Sequence, residues 1–491
     1  MDTTAPAGAE PRKGLREQVR SAVLWRSGTQ VVGQIVSWLS TFLVIRILSP
    51  ADYGLVAMTT VVLGLLALLN GYGLANAYIR QRETDPMMLR QLFGMLIVLN
   101  GALALIQVAA APLVADFYRQ PLVAQMLRVQ ALVYLTNPFL ALGYAVLSRA
   151  MDFRKQAQVN IASALLGAVA ALSGALAGLG TWTLVLTPLV QFGTRAFGMA
   201  FAARALVRPS FDFRGGWHLA GYGGVMTVTS VFWFIQTQSD VVIAGRAFSP
   251  HELGLYTTSL FLASIFVTKV VPPLNEVAFT AYARVQDDPA ALATGFVKST
   301  RIIMLLSLPF CFGLAATAGP LVSVVLGPKW LGAVPVVRLL ALAMPFMTLH
   351  VLLAPATNAV GKLGIATRTT ALGALLMPAA FLVGVQFGRV GIAAAWIVAY
   401  PLLLGAALAW SLPAIGVRFA TLARALRAPL LAASAMAAVV VLFDQLVSGQ
   451  AALPRLLALV VAGAATYGLW LVTFARDTLT ELAALARRRR G

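Results

Sequence analysis

The stretch Val44-Ile45-Arg46-Ile47-Leu48-Ser49-Pro50-Ala51-Asp52-Tyr53-Gly54-Leu55 ends one apolar run and opens another. A second copy follows as Ile243-Ala244-Gly245-Arg246-Ala247-Phe248-Ser249-Pro250-His251-Glu252-Leu253-Gly254-Leu255. Arg46 matches Arg246, Ser49-Pro50 matches Ser249-Pro250, Asp52 matches Glu252, and Gly54-Leu55 matches Gly254-Leu255, all at a constant offset of 200 residues. A repeat of that length inside an apolar chain points to two homologous membrane halves, as in many transporters. A fainter echo pairs Ser148–Arg154, after the fourth apolar run, with Asn358–Gly364, after the tenth.

Composition agrees. The 491 residues are 59% hydrophobic and 11% charged, with a mean hydropathy of +0.83. A soluble protein of this size could not cover so much apolar surface, so the chain reads as a polytopic membrane protein. A net charge of +20 would suggest nucleic acid in a soluble chain, but here the positions of the charges give another account. The lone Cys311 lies in an apolar run, which leaves no disulfide framework and no metal cluster. His218, His251 and His350 are scattered and read as packed or interfacial side chains. The first 20 residues are polar and basic and the first apolar run is long enough to span, so no cleavable signal peptide is expected.

At about 20 apolar residues per crossing, fourteen spans are expected. They lie at 22–47, 54–78, 89–113, 122–147, 157–178, 182–206, 220–246, 254–279, 298–320, 332–358, 365–387, 391–415, 427–447 and 454–474. The fourth is interrupted by Arg128, Gln130 and Asn137, and the tenth is punctuated by Pro335, Pro345 and Pro355. Twelve spans is the alternative count. With the N-terminus inside, 26 of the 37 Lys and Arg residues fall in cytoplasmic segments and six on the opposite side. The alternation holds at every loop, so both termini are expected in the cytoplasm. Most of the net charge is then topology and contact with anionic membrane lipids, and no nucleic-acid partner is expected. The Arg487–Arg490 run reads as a stop-transfer or lipid-surface anchor.

Both repeat copies start on the same side, so the repeats are parallel rather than inverted. The expected organisation is a cytoplasmic segment over 1–20, an N-lobe of six helices over 21–208, a C-lobe of six over 209–417, two further helices over 418–475 and a basic cytoplasmic tail over 476–491. Two parallel bundles leave a natural cavity between them at mid-membrane, and rocking the bundles would open it to alternate sides.

Ionisable groups in the bilayer core are costly and tend to face a cavity or a partner. The first span carries Arg26, Gln30, Gln34, Ser37 and Thr41, at spacings that place them on one helical face. This stripe reads either as the wall of a wet, anion-tolerant cavity or as hydrogen-bonding glue between helices. The seventh span carries Thr229, Gln236, Ser239 and Asp240, with Asp240 able to pair with Arg246 or a basic residue on a neighbouring helix. Asp240 is read either as half of a structural ion pair or as a transport residue. The eighth carries Lys269, then Val271-Pro272-Pro273, then Glu276. The prolines free backbone carbonyls and mark a bend, and Lys269 and Glu276 share a face two turns apart. Arg46 and Arg246 stand at helix ends, where snorkelling to headgroups accounts for them. The embedded charges are Arg26, Arg128, Arg195, Lys269 and Arg338 against Asp240 and Glu276. That net positive interior suits an anionic substrate better than a cationic drug.

Leu48–Leu55 resembles the signature after the first helix of polysaccharide-transport proteins, the Wzx-type lipid-linked oligosaccharide flippases of the MOP exporter superfamily. Arg149–Arg154 and Phe279–Asp288 are similar to that family's loops after helices 4 and 8, and Gly327–Arg338 resembles the segment opening its helix 10. The resemblance covers residues 20–415, with the four motifs in order. It implies an all-α polytopic membrane protein of about fourteen helices, two six-helix lobes plus two, around a central cationic cavity. It further implies movement of an undecaprenyl-diphosphate-linked oligosaccharide repeat unit across a bacterial inner membrane, for exopolysaccharide, capsule or O-antigen synthesis. Implied partners are that lipid-linked oligosaccharide, membrane lipids, and the polysaccharide polymerase and export machinery. No cofactor is implied beyond a coupling ion, Na+ or H+. Relatives use basic residues in helices 1 and 8, which Arg26 and Lys269 match by position. Arg26, Lys269 and Arg338 would then hold the diphosphate. Gln30, Gln34, Gln236 and Asp240 would meet sugar hydroxyls or a coupling ion, and the added charge of Glu276 departs from the family pattern. The alternative is a multidrug or cation antiporter of the same superfamily, in which Asp240 or Glu276 would be decisive. An enzyme such as a glycan polymerase is disfavoured, because no loop is long enough to carry a catalytic domain and no nucleotide-binding motif is present.

Overall fold

The computed structural model describes residues 33–69, 74–75, 78–79, 85–204, 207–213 and 224–474. Arg26, Gln30 and the Arg487–Arg490 run lie outside the described residues. Among the described residues the secondary structure is helical, with no strand.

The repeated stretch is a pair of helix starts. Helix α1 (Gly33–Ile47) runs into the first copy and α2 (Pro50–Ala67) begins within it. Helices α8 (Gly224–Ala247) and α9 (Pro250–Ile265) repeat this at the second. Both starts close in the same way. The Asp52 carboxylate accepts from the Ser49 N–H at 2.9 Å and from its hydroxyl at 2.6 Å. Ser249 and Glu252 form a full capping box. A proline follows each serine, where its missing N–H costs nothing. The glycines have a different role. A Cβ on Gly54 would overlap the Pro250 carbonyl oxygen, and a Cβ on Gly254 would overlap the Pro50 carbonyl oxygen. The two helix starts therefore cross backbone against backbone, each using the same atoms of the other. Beside the crossing, Tyr53 meets Trp330 edge-on at 5.5 Å.

The chain divides into two compact units, Met1–Leu48 with Leu66–Gly224, and Ser49–Leu65 with Val225–Gly491. The first unit contains α1 and α3 (Pro86–Tyr118), α4 (Pro121–Gln130), α5 (Leu132–Arg149), α6 (Phe153–Leu176) and α7 (Thr181–Ala202). Its core includes Leu92, Leu96, Leu142 and Ala145, with Leu140, Ala196 and Met199 between α5 and α7. The expected fourth span is a helix broken at Ala131 into α4 and α5. Arg128, expected among the embedded charges, is exposed in the last turn of α4 instead.

The second unit takes the body of α2, then α8 and α9. A π-helical turn at Phe266–Val270 leads into α10 (Val271–Ala283). The bend expected from Pro272-Pro273 is this turn: two successive residues lack an N–H, and the Val271 N–H reaches five residues back to the Phe266 carbonyl. There follow α11 (Pro289–Ala316), α12 (Ala318–Val325), a 3-10 turn at Pro328–Ala333, α13 (Val334–Val351), α14 (Leu353–Ala359), α15 (Leu363–Gly384) and α16 (Gly388–Ala414). The expected tenth span thus carries a break at Leu352, between α13 and α14. The closing hairpin, α17 (Phe419–Leu446) and α18 (Ala452–Phe474), packs Met436, Val440 and Leu459 against Ala316. Arg455 grips Asp444 at two points, 2.7 and 2.9 Å, and the Tyr467 hydroxyl donates to the Leu305 carbonyl at 2.8 Å.

Among the described residues, 11 helical stretches are long and apolar enough to cross a membrane, and one of them, Leu363–Ala414, holds both α15 and α16. Gly33–Ile47 is apolar but shorter.

Alanine at Gly54 or Gly254 is expected to lower the melting temperature of the detergent-purified protein. Helix propensity alone favours alanine by roughly 1 kcal/mol, but the obstacle is a backbone oxygen that cannot rotate away, and overpacking costs about 1–3 kcal/mol. Gly405, which has open space where a Cβ would stand, is the matched control. A Gly254→Ala protein that melts as late as Gly405→Ala would show that the backbones do not cross so closely.

Candidate functional site

Two polar constellations stand out, one in each unit, and they differ in kind. In the first unit a cavity of about 390 Å³ opens between α1, α5, α6 and α7. Helix α1 contributes Gln34 and Ser37, α5 contributes Tyr144, α6 contributes Gln156, Asn160 and Ser163, and α7 contributes Gln191 and Arg195. The spacings explain the wall. Gln156, Asn160 and Ser163 recur every three or four residues, as do Gln34 and Ser37, so each helix turns one polar stripe inward. On α1 the next positions round, Ile35, Leu39 and Leu43, are exposed apolar residues on another face. Gly167 makes room, since a Cβ there would stand 3.1 Å from the Gln191 side chain.

Part of this wall is satisfied internally. Gln156 Nε2 donates to Ser148 Oγ at 2.9 Å, and Ser163 Oγ donates to the Asn160 carbonyl at 2.9 Å. Part is not: Asn160 Oδ1 and Arg195 Nε are buried and have no hydrogen-bond partner among the described residues. An orphaned acceptor and an orphaned cationic donor in one cavity are groups a ligand would complete. Among the described residues no carboxylate lines it, and the formal charge they bring is that of Arg195.

The second unit holds a closed network. Asp240, on α8, is fully buried. Its carboxyl accepts from the Tyr256 hydroxyl of α9 at 2.6 Å and from the Val241 N–H at 2.7 Å. Trp396 Nε1, on α16, donates to the Tyr256 oxygen at 3.0 Å. Gln236, one turn before Asp240, donates from Nε2 to the Tyr400 hydroxyl at 3.3 Å, and His350 Nδ1 lies 3.3 Å from that same oxygen. Trp396 and Tyr400 stack, with centroids 5.5 Å apart and planes 7° from parallel. Gly373 leaves the space that the Gln236 amide fills. Four helices are knitted through one carboxyl, one amide and four rings, those of Tyr256, Trp396, Tyr400 and His350. The expected ion pair to Asp240 is replaced, among the described residues, by neutral donors, and Arg246 is exposed near the end of α8.

The remaining expected residues are placed as follows. Gln34 lines the first unit's cavity, whereas Gln236 and Asp240 are sealed in the network. Lys269 is exposed on the π-helical turn, and Glu276 is exposed on α10. Arg338 is exposed on α13. Thr41, at the end of the expected stripe, bonds back to the Ser37 carbonyl of its own helix at 2.8 Å. Sequence reasoning missed Asn160, Gln156 and Gln191 as wall residues, although the α6 stripe has the same spacing as the stripe it recognised on α1. It also missed Tyr256, Trp396 and Tyr400, whose aromatic character reads as ordinary core packing until the network is seen.

The profile of the family described as polysaccharide biosynthesis protein matches residues 43–335. The succinoglycan biosynthesis transport protein ExoT of Rhizobium meliloti is 32% identical over 305 residues, 62% of this chain and 61% of that protein. The lipopolysaccharide biosynthesis protein WzxC of Escherichia coli is 23% identical over 332 residues, 66% of this chain and 67% of that protein. The chain thus spans less than two thirds of ExoT's length in the matched region. In three dimensions the chain is similar to the lipid II flippase MurJ in an inward closed conformation, with a TM-score of 0.73 at 12% identity, over 93% of this chain and 100% of that one. The shared fold bears out the all-helical, polytopic architecture expected from the sequence.

Because Tyr256 joins Asp240 to Trp396, its hydroxyl and the Asp240 carboxyl are expected to act as one unit. Tyr256→Phe removes a single oxygen yet leaves two buried groups short of a partner, a loss of about 1–3 kcal/mol. Melting temperatures of Tyr256→Phe, Asp240→Asn and the double variant would check this. Additive losses would mean that the contact carries no coupling.

Proposed function

The chain belongs to the polysaccharide biosynthesis protein family, and on that premise we propose that it is a flippase that moves a lipid-linked oligosaccharide between membrane leaflets by alternating access. The observation that carries the reading is the wall of α1, α6 and α7: amides and hydroxyls suited to sugar hydroxyls, one guanidinium suited to a phosphate oxygen, and, among the described residues, no carboxylate to repel it. The transport and biosynthesis roles in the names of ExoT and WzxC, and the flippase role in the name of MurJ, support it. A cavity of about 390 Å³ holds a sugar or a phosphate group rather than a whole lipid-linked repeat unit. The wall is therefore one part of the recognition surface.

In finer detail, the substrate is an undecaprenyl-diphosphate-linked repeat unit carried from the cytoplasmic to the periplasmic leaflet of a bacterial inner membrane, with both chain termini cytoplasmic. Arg26, Lys269 and Arg338 bind the diphosphate, and Arg195, separately, offers its guanidinium to an anionic oxygen in the first unit's cavity. Gln30 and Gln34 meet sugar hydroxyls. Gln236 and Asp240 belong to the closed network, where a coupling Na+ or H+ would act only if that network opened. Glu276 shares a face with Lys269 and sets its local charge. The product goes on to a polysaccharide polymerase and export machinery, and no covalent chemistry is assigned to this chain.

Deletion of the gene is expected to accumulate undecaprenyl-linked repeat units in the inner membrane and to abolish the surface polysaccharide. Arg195→Ala and Lys269→Ala, expressed at normal levels, are expected to reduce export by roughly ten- to a hundredfold, the scale of one charge-assisted hydrogen bond. Full export by both variants would remove these residues from the site. Intact surface glycan with no lipid-linked intermediate in the deletion strain would favour the cation-antiporter alternative, and efflux with Asp240 and Glu276 neutralised would then be the decisive assay.

A further inference from the structure

Two apolar stretches of the second unit are broken beside prolines, and the breaks touch. The stretch Pro250–Ala283 is interrupted by the π-helical turn at Phe266–Val270, which separates α9 from α10. The stretch Pro328–Ala359 is interrupted at Leu352, which separates α13 from α14. Phe266 and Val271 at the first break share a buried cluster with Leu352 at the second, and Val270 and Val351 pack against it. To one side of this cluster α9 lies against α13, and to the other α10 lies against α14. Ala278 and Tyr282 of α10 belong to the same apolar cluster as Leu353, Ala356 and Ala359 of α14.

A proline takes the donor from the carbonyl four residues before it, and within a membrane a neighbour must supply another. The regular helical donor for the Val351 carbonyl would be the N–H of residue 355, which is Pro355. Asn275, one turn into α10, donates from Nδ2 to that carbonyl at 3.1 Å. One broken helix thus supplies the donor that the other lacks. Asn275 Oδ1 is buried and has no hydrogen-bond partner among the described residues, so the amide is held at the break through its donor alone. Asn275, Ala278 and Tyr282 follow one another at helical spacing, so the amide heads the face that α10 turns to α14.

Before the second break the chain is fixed. Thr348 Oγ1 lies 3.0 Å from Ser307 Oγ of α11, and His350 Nδ1 lies 3.3 Å from the Tyr400 hydroxyl of α16. After it comes α14, a helix of seven residues. On the other stretch, Lys269 stands exposed on the π-helical turn, so whatever holds that turn sets where this cation stands. We propose that Asn275 is a positioning residue of the transport cycle, whose bond to the Val351 carbonyl joins the two breaks into one paired hinge about which α10 and α14 tilt together. This rests on the transport reading above. Asn275 acts through the two backbones and through the turn that carries Lys269, not by touching the substrate.

The test is a double-variant cycle in the full-length protein. Asn275→Leu keeps the size of the side chain and removes the donor, and Pro355→Ala returns an N–H to the Val351 carbonyl. With that N–H present, losing Asn275 orphans no carbonyl but still unties the two helices. In detergent, Asn275→Leu is expected to lower the melting temperature by about 2 °C, the scale of one buried carbonyl left unpaired in a large chain. In the Pro355→Ala background the loss is expected to be less than half of that, and equal losses in the two backgrounds would overturn the bond. Surface polysaccharide restored to a deletion strain is the second readout. The double variant is expected to restore roughly tenfold less than Pro355→Ala alone, a loss within the range of coupling between sites. Equal restoration would leave Asn275 a purely structural residue and overturn the positioning role. Amide hydrogen exchange of the purified protein reads the hinge without transport. Protection of α10 and α14 is expected to match in Pro355→Ala and to differ several-fold in the double variant. If the parent restores no polysaccharide, the transport reading fails, and matched protection in the double variant would overturn the hinge independently. Asn275→Ala takes the place of Asn275→Leu if the latter does not accumulate.

Discussion

A backbone N–H or carbonyl within hydrocarbon has no water to bond, so the chain must satisfy it internally. The departures from regular helix follow from this constraint. Where Pro272 and Pro273 remove two donors in succession, the helix is not simply cut; five residues rewind with longer-reach bonds, and Val271 N–H finds the Phe266 carbonyl. Where α2 and α9 begin, their open amides are closed by Ser49 with Asp52 and by Ser249 with Glu252. With its ends satisfied locally, each helix start can press against the other at Gly54 and Gly254 with nothing between them but backbone.

The same constraint applied to side chains has two outcomes. Around Asp240, burial is complete and the polar atoms are mostly consumed by one another, through Tyr256, Trp396, Tyr400 and His350. A group in that state specifies how four helices fit. Around Asn160 and Arg195, the polar atoms are left over and the space beside them is open. A group in that state is available for recognition. Polarity within a span does not tell these cases apart, and neither does a single orphaned atom, since Gln236 Oε1 also lacks a partner among the described residues; open space beside the group does. Asp240 is the most conspicuous acid within the apolar runs and is closed in; Asn160 is inconspicuous in the sequence and faces the cavity.

Much of the fold is legible in the order of the amino acids. Length and hydropathy point to helices crossing a membrane, because an apolar run of about 20 residues has few other stable forms. The α1 stripe is legible for the same reason: helical periodicity maps sequence spacing onto a face, and Gln34 and Ser37 do line a wall. The α4–α5 break at Ala131 is signalled only as weak hydropathy around Arg128, since nothing local says whether a polar interruption becomes a break or a buried partner.

Where helices start, which of their faces are polar, and the double occurrence of the Ser-Pro-x-Asp/Glu-x-Gly-Leu stretch all follow from the chain's own letters. Those are properties of neighbours within a few turns. That the repeated glycines meet each other, and that Asp240 is held by a tyrosine rather than an arginine in a network that reaches Trp396, were settled by the folded arrangement alone. Each of those depends on residues that stand apart along the chain, the glycines by 200 positions and Tyr256 and Trp396 by 140. A contact at such a separation is set by how helices pack, which no local pattern encodes.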